Sequence, residues 1–272
     1  MSAMKPELRG QAAIVTGGSR GIGLAIARAL VAEGVHVMIT GRTDAHLSEA
    51  RRQIEASGPG KVEALRADVR NYDDIRHAVD ATAARFGGLD ILVNNAGVGV
   101  FADVAEMTPA QWAEVIDTNL TGAFNAANAA LPHMRRRGAG FIVNISSLAG
   151  ANPFAGGGAY CASKAGMKAF SEALMQEVRH DNIRVTYVMP GSVSTGFSGR
   201  DDAHDDWKLQ PADVAQAETT PVIVISGQRT PPVSLPPTRL FSARSDWNRR
   251  AASKGCTSFI RARACRGVLE RG

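Results

Sequence analysis

The chain has 272 residues, of which 44% are hydrophobic, enough for a real core in one large α/β domain or two small ones. Three cysteines (Cys161, Cys256, Cys265) form no paired framework, and neither an apolar leader nor a run of about 18 apolar residues is present. This argues against a disulfide-built secreted scaffold or a membrane-spanning helix, and for a soluble, cytoplasmic protein. The net charge of +5 belongs to one end. Residues 221–272 carry ten Lys/Arg against two Asp/Glu, while the remaining chain carries 21 against 24. Such a tail either binds polyanions or is simply solvated. It has no nucleic-acid motif and no apolar/basic periodicity, so neither a nucleic-acid nor a membrane partner is expected.

Ala12, Ala13, Ile14 and Val15 predict a short buried strand that runs straight into Thr16-Gly17-Gly18-Ser19-Arg20-Gly21-Ile22-Gly23. Ile22, Ile26 and Leu30 then recur every four residues, so a helix follows. Strand, glycine-rich turn and helix in that order set free helix N–H groups beside glycines that let a pyrophosphate approach. Residues 35–40 predict a second strand, and Leu47, Ala50 and Ile54 a helix. Residues 62–65 begin a third strand ending near Asp68 and Val69, and Ile75 and Val79 mark the next helix. Residues 91–93 are a fourth strand, ending in Asn94-Asn95-Ala96-Gly97. This alternation implies parallel βαβ units with right-handed crossovers, and the near-continuous apolar strands imply a sheet covered on both faces.

Thr108-Pro109-Ala110-Gln111 predicts a helix start, with Thr as N-cap, Pro first and Gln three residues on. One helix is expected from there through Trp112, Val115, Ile116, Leu120 and Phe124 to Arg135-Arg136-Arg137. Asn119 falls inside it, where asparagine is unfavourable unless something uses its amide. Residues 140–145 are a fifth strand, followed by Ser146-Ser147. Tyr160 and Lys164 stand four apart in a stretch whose Met167, Phe170, Leu174 and Val178 form a helical apolar stripe, so both leave one face about a turn apart. The ammonium is expected to lower the phenol pKa from about 10, so that it trades a proton with a substrate oxygen near neutral pH. Residues 183–189 are a sixth strand, before Pro190-Gly191.

Taken together and in this order, the Thr16–Gly23 turn, Asn94-Asn95-Ala96-Gly97, Asn119, Ser147, Tyr160 with Lys164, and Pro190-Gly191 make residues 8–200 resemble the short-chain dehydrogenase/reductase family. The resemblance implies a single doubly wound Rossmann-type α/β domain of about seven parallel strands, with helices on both faces. It implies that Tyr160 gives and takes the proton, that Lys164 lowers its pKa and holds the nicotinamide ribose, that Ser147 rather than Ser146 steadies the developing oxyanion, and that Asn119 holds a water linked to Lys164. It places Gly17, Ser19, Arg20, Gly21, Ile22 and Gly23 around the cofactor phosphates. Asp68 and Val69 would touch adenine, with Asn95, Ala96 and Gly97 beside it. Pro190, Gly191, Val193 and Thr195 would lie at the nicotinamide end. NAD-preferring members carry an acidic residue where Gly41 stands here; Arg42 follows immediately, with Arg20 opposite, and a guanidinium fork suits a 2′-phosphate. NADP(H) is therefore the expected cofactor, a carbonyl/alcohol pair the substrate, and no metal is expected.

The resemblance weakens near the C-terminus. Pro211-Ala212-Asp213-Val214-Ala215 begins the family's next helix, but the pattern fails at Glu218-Thr219-Thr220-Pro221. Residues 222–225 offer a seventh strand too early, and paired prolines and arginines follow. Residues 1–220 are expected to form the catalytic and dinucleotide-binding domain, and residues 221–272 a divergent or out-of-frame basic segment. A homodimer or homotetramer is expected, with the altered end bearing on its interface. Residues 192–208, carrying Asp201, Asp202, Asp205 and Asp206, are expected to form a flap over the site. Phe154 and Gly156-Gly157-Gly158 either line the substrate side or form a plain loop. Three substrate classes stay open: a 3-oxoacyl thioester, a small ketone or aldehyde, and a polycyclic alcohol. Arg135-Arg136-Arg137 either greets an acidic carrier or complements a helix dipole. Two other functions are carried alongside: cofactor binding without turnover, and polyanion binding through the tail.

Overall fold

The computed structural model describes residues 8–195 and 209–215. In chain order it contains β1 (Ala12–Thr16), α1 (Gly21–Ala32), β2 (His36–Gly41), α2 (Asp44–Glu55), β3 (Val62–Arg66), α3 (Tyr72–Phe86), β4 (Ile91–Asn94), α4 (Pro109–Ile116), α5 (Gly122–Arg137), β5 (Gly140–Ile145), α6 (Gly158–Glu177) and β6 (Ile183–Val188). All strand pairs are parallel and the order is β3-β2-β1-β4-β5-β6. The order reverses between β1 and β4, and the crevice beyond the carboxyl ends of those strands is where such sheets take ligands. Among the described residues the sheet has six strands. The expected strand at 222–225, the flap beyond residue 195 and the basic tail lie outside them.

Alternation along each strand explains the two covered faces. Ala13 and Val15 of β1 point into one core, with Ile26 and Leu30 of α1 and Leu47 and Ile54 of α2. Ile14, between them, points into the other, with Ile75 and Val79 of α3, Ala126 and Ala130 of α5 and Leu174 of α6. Helix starts follow local chemistry. Asn71 caps α3 by accepting from the Asp73 and Asp74 amides, and Thr108 with Gln111 forms the expected capping box on α4. Residues 211–215 are helical and bury Ala215 in the first core, so the start of the expected helix is present. No helix of the described residues is long and apolar enough to cross a membrane.

One expectation fails instructively. The continuous helix from Pro109 to Arg137 is interrupted: residues Asp117–Thr121 form a π-helical turn, with the Gly122 amide reaching back to the Asp117 carbonyl. The turn holds one residue more than the α-helix allows and sits beside the site. Asn119 therefore lies in a π turn, not in a regular helix.

Candidate active site

The glycine-rich turn joins β1 to α1 at the switch point. Gly17 (φ 64°) and Gly21 (φ 57°) adopt the left-handed backbone that makes the turn this tight. A side chain at Gly17 would begin 2.8 Å from the Ala96 Cα, so the turn and the end of β4 can pack only through glycine. Asn95 binds the turn from below, donating to the Thr16 and Gly17 carbonyls at 3.0 and 3.1 Å. The Thr16 hydroxyl accepts from the Asn95 and Ala96 amides, both at 3.1 Å. A Cβ at Gly23 would meet the Asn95 amide nitrogen at 2.4 Å. Gly23 is therefore a packing glycine that admits this brace and does not line the cleft.

A cleft of about 640 Å³ opens over this turn and runs along the strand ends to Tyr160. Every sequence-derived site residue lines it except Gly23 and Asn119. The α1 N-terminus has no side-chain cap and no acidic residue in its first turn, so its amides remain open to an anion. Arg20 and Arg42 line the same end. Asp68 stands there too, its carboxylate gripped by Arg70 at 2.5–3.0 Å. The Arg70 hydrogen bond, with the charge of Arg42 adding in the same sense, holds the Asp68 carboxyl below the usual range. The hydroxyls of Thr40 and Thr118 are buried without a hydrogen-bond partner, and both residues line this end. An open helix terminus, two arginines, glycines and orphaned hydroxyls fit a dinucleotide.

At the other end, α6 presents Tyr160 and Lys164 on one face. Lys164 is buried, and its Nζ donates to the Ile145 carbonyl at 2.8 Å and lies 5.8 Å from the Tyr160 ring centre. Burial lowers the Lys164 pKa from 10.5 to about 8. The Tyr160 phenol departs from expectation. Burial pushes its pKa up, and the interaction that opposes this is the hydrogen bond with Ser147, not the lysine charge. Desolvation of the phenol in this dry wall outweighs that hydrogen bond.

The two serines both border the cleft but spend their hydroxyls differently. The buried Ser146 hydroxyl donates to the Lys164 carbonyl at 2.9 Å and ties β5 to α6. Ser147 lines the cleft, pairs with Tyr160 and accepts from the Ala149 amide at 3.2 Å. Asn119 is fully buried, and both ends of its amide are engaged. It accepts from the Val98 amide at 2.7 Å and donates to the Val98 carbonyl at 2.9 Å and the Ser163 hydroxyl at 3.0 Å. It thus fastens the segment after β4 to the residue next to Lys164, which answers why an asparagine stands there.

The sequence reading missed Thr40, Thr118 and Phe101. Phe101 lines the cleft with Phe154 and contacts Tyr160 edge-on at 5.7 Å. Its one available signal was position, seven residues beyond a strand end at the switch point. Among the described residues no cluster of three His, Cys, Asp or Glu stands ready for a metal.

A doubly wound parallel sheet with a dinucleotide-shaped cleft at its switch point, and a Ser-Tyr-Lys set at one end of that cleft, defines a Rossmann-type oxidoreductase. The chain belongs to the short-chain dehydrogenase/reductase family: the family described as short chain dehydrogenase matches residues 11–206. It is 36% identical over 211 residues to an uncharacterised oxidoreductase of Staphylococcus saprophyticus, covering 78% of this chain and 90% of that one. It is also 36% identical over 206 residues to a 3-oxoacyl-[acyl-carrier-protein] reductase of Chlamydia muridarum, covering 75% and 83%. A metagenomic short-chain oxidoreductase solved in complex with NADP superposes with a TM-score of 0.70 at 38% identity, covering 82% of this chain and 92% of that one.

Proposed function

We propose that the protein is an NADP(H)-dependent oxidoreductase that interconverts a carbonyl and a secondary alcohol, with Tyr160 as general acid and base. The observation that carries this is the Ser147–Tyr160 hydroxyl pair facing the cleft, with the buried Lys164 ammonium behind the same ring. The hydride comes from the reduced nicotinamide when that cofactor is bound. Tyr160 gives the proton to the carbonyl oxygen during reduction and takes it back during oxidation. Ser147 holds the same oxygen and steadies the negative charge that develops on it. Lys164 would hold the ribose beside Tyr160, and Asn119 keeps the surrounding segment and α6 in register.

The preference for NADP(H) rests on the end of β2. Gly41 offers no carboxylate to repel a 2′-phosphate, Ser19 lies against it, and Arg42 follows. The solved relative in complex with NADP supports the same reading. The test is NADPH oxidation over a panel of carbonyl compounds by wild type and Tyr160→Phe. The variant should lose at least about a hundredfold in kcat, the lower end of acid–base contributions, while NADPH binding changes little. A Tyr160→Phe enzyme that keeps its turnover ends the assignment.

A further inference from the structure

We infer that the carbonyl substrate is an uncharged ketone bearing an aryl or fused-ring group, held on an aromatic platform made by Phe101 and Phe154. This rests on the oxidoreductase reading above and names the substrate class of the same site.

The platform adjoins the proton donor. Phe101 lies 5.7 Å from the Tyr160 ring at 65° and 6.0 Å from Phe154 at 37°. Both phenylalanines line the cleft, yet they remain 44% and 50% exposed, unusual for rings of this size unless something covers them. They are also held in place. The Ala102 amide donates to the Gly156 carbonyl at 2.9 Å, joining the loop before α4 to the loop before α6. The Phe154 ring lies on Gly157 so closely that a Cβ there would begin 2.6 Å from it. Just upstream, Val98 is clamped in both directions by Asn119. A carbonyl oxygen at Tyr160 and Ser147 therefore puts its substituent over rings that need little reordering to receive it.

Charge narrows the class. The Phe101 loop carries exposed Asp103 and Glu106, and the Asp103 carboxylate lies 3.8 Å from where a side chain at Gly156 would start. Neither carboxylate lines the cleft; among the described lining residues the cation nearest the platform is Lys164, already bound to the Ile145 carbonyl, so a carboxylate or a phosphate-bearing thioester meets no free counter-charge there. The arginines at the end of α5, offered for an acidic carrier, stand elsewhere. Arg137 binds Asp90 at 2.9 Å, just before β4, and Arg135 binds Asp181 at 2.7 Å, just before β6. Both sit at the amino edge of the sheet, whereas the cleft opens at its carboxyl edge, roughly 15 Å away at the rise of a strand residue.

The experiment compares acetophenone with 2-octanone, which has the same carbon count, and with acetoacetyl-CoA, all with NADPH. Acetophenone should have the highest kcat/KM. In Phe101→Leu and Phe154→Leu, which stay apolar but lose the ring, the acetophenone-to-octanone ratio should fall roughly threefold to tenfold, the worth of one aromatic contact. A ratio that stays put, or acetoacetyl-CoA as the better substrate, overturns the inference while leaving the oxidoreductase reading intact. If no carbonyl compound is turned over, that reading fails instead. Calorimetric titration of acetophenone into the NADPH-saturated protein then decides: binding weakened by Phe101→Leu supports the platform, and no binding removes it.

Discussion

Gly97 and Lys164 face each other across the floor of the cleft. A Cβ at position 97 would stand 3.7 Å from the Lys164 Nζ and 3.3 Å from the Asn119 Oδ1. Gly97 does not adopt a left-handed backbone, so its φ does not strain an alanine, but the 3.3 Å approach requires the Asn119 amide to give by a few tenths of an ångström. Its hydrogen is needed for the space it leaves beside the ammonium.

Gly97→Ala should still fold, with a Tm lowered by no more than about 5 °C as Asn119 gives way. Its methyl group would screen one side of a buried cation, at a cost of about 1–3 kcal/mol when that side must be hydrated. A kcat reduced at least about tenfold is expected. Steady-state kinetics beside a melting curve would check it, and an unaltered kcat would show that this side of Lys164 is idle.

The pKa of Lys164 gives a stability signature. Its folded value of about 8 lies below the ordinary 10.5. Between those values the unfolded chain holds more protons than the folded one, so stability rises with pH across that window; below about pH 8 the full penalty applies. Lys164→Met has no charge to desolvate. Urea midpoints from about pH 8 to about pH 10 should show wild type gaining on the variant, and parallel curves would refute the burial of a charged lysine.

The serine pair separates stability from catalysis. Ser147→Ala should cost about 10²–10³ in kcat with little change in Tm, as for loss of an oxyanion donor. Ser146→Ala should cost about 1 kcal/mol of stability through its lost bond to the Lys164 carbonyl. Urea unfolding and kinetics on both variants give the comparison, and a stability loss in Ser147→Ala alone would reverse the assignment.

Cofactor choice is testable at Gly41 and Arg42. Wild type should favour NADPH over NADH by at least about tenfold in kcat/KM, about 1.4 kcal/mol. Arg42→Ala should weaken NADPH and spare NADH. Gly41→Asp should shift preference towards NADH, and the site has room: a Cβ would lie 3.4 Å from Leu47 and Ser19 atoms, an ordinary contact. An Arg42→Ala variant that weakens both cofactors equally would contradict the phosphate reading.

What the sequence disclosed and what it hid divide along physical lines. The β1-turn-α1 unit was legible because periodicity and glycine spacing are local, and Tyr160 and Lys164 were legible because helical geometry fixes what four residues do. The Thr108–Gln111 capping box could be read for the same reason. The π turn around Asn119 was not legible. The apolar spacing from Val115 to Phe124 looks the same in a continuous helix, and only packing against Val98 and Ser163 shows the extra residue. Phe101 was hidden because a loop residue has no period. The Tyr160 phenol was misjudged because charge proximity can be read from spacing, whereas desolvation depends on the whole wall.

The π turn has a consequence for how this chain tolerates insertions and deletions. Removing Leu120 would let α4 and α5 fuse into one regular helix with better hydrogen bonds. The wide turn absorbs its extra residue locally, so α4 and α5 would keep their faces on either side of the deletion. The loss would be local: Ala126 and Ala130 would stay in the core, while Asn119, inside the turn, would be moved off Val98 and Ser163. A shorter and locally sounder helix would thus be a worse protein, and length in this segment is held as tightly as residue identity.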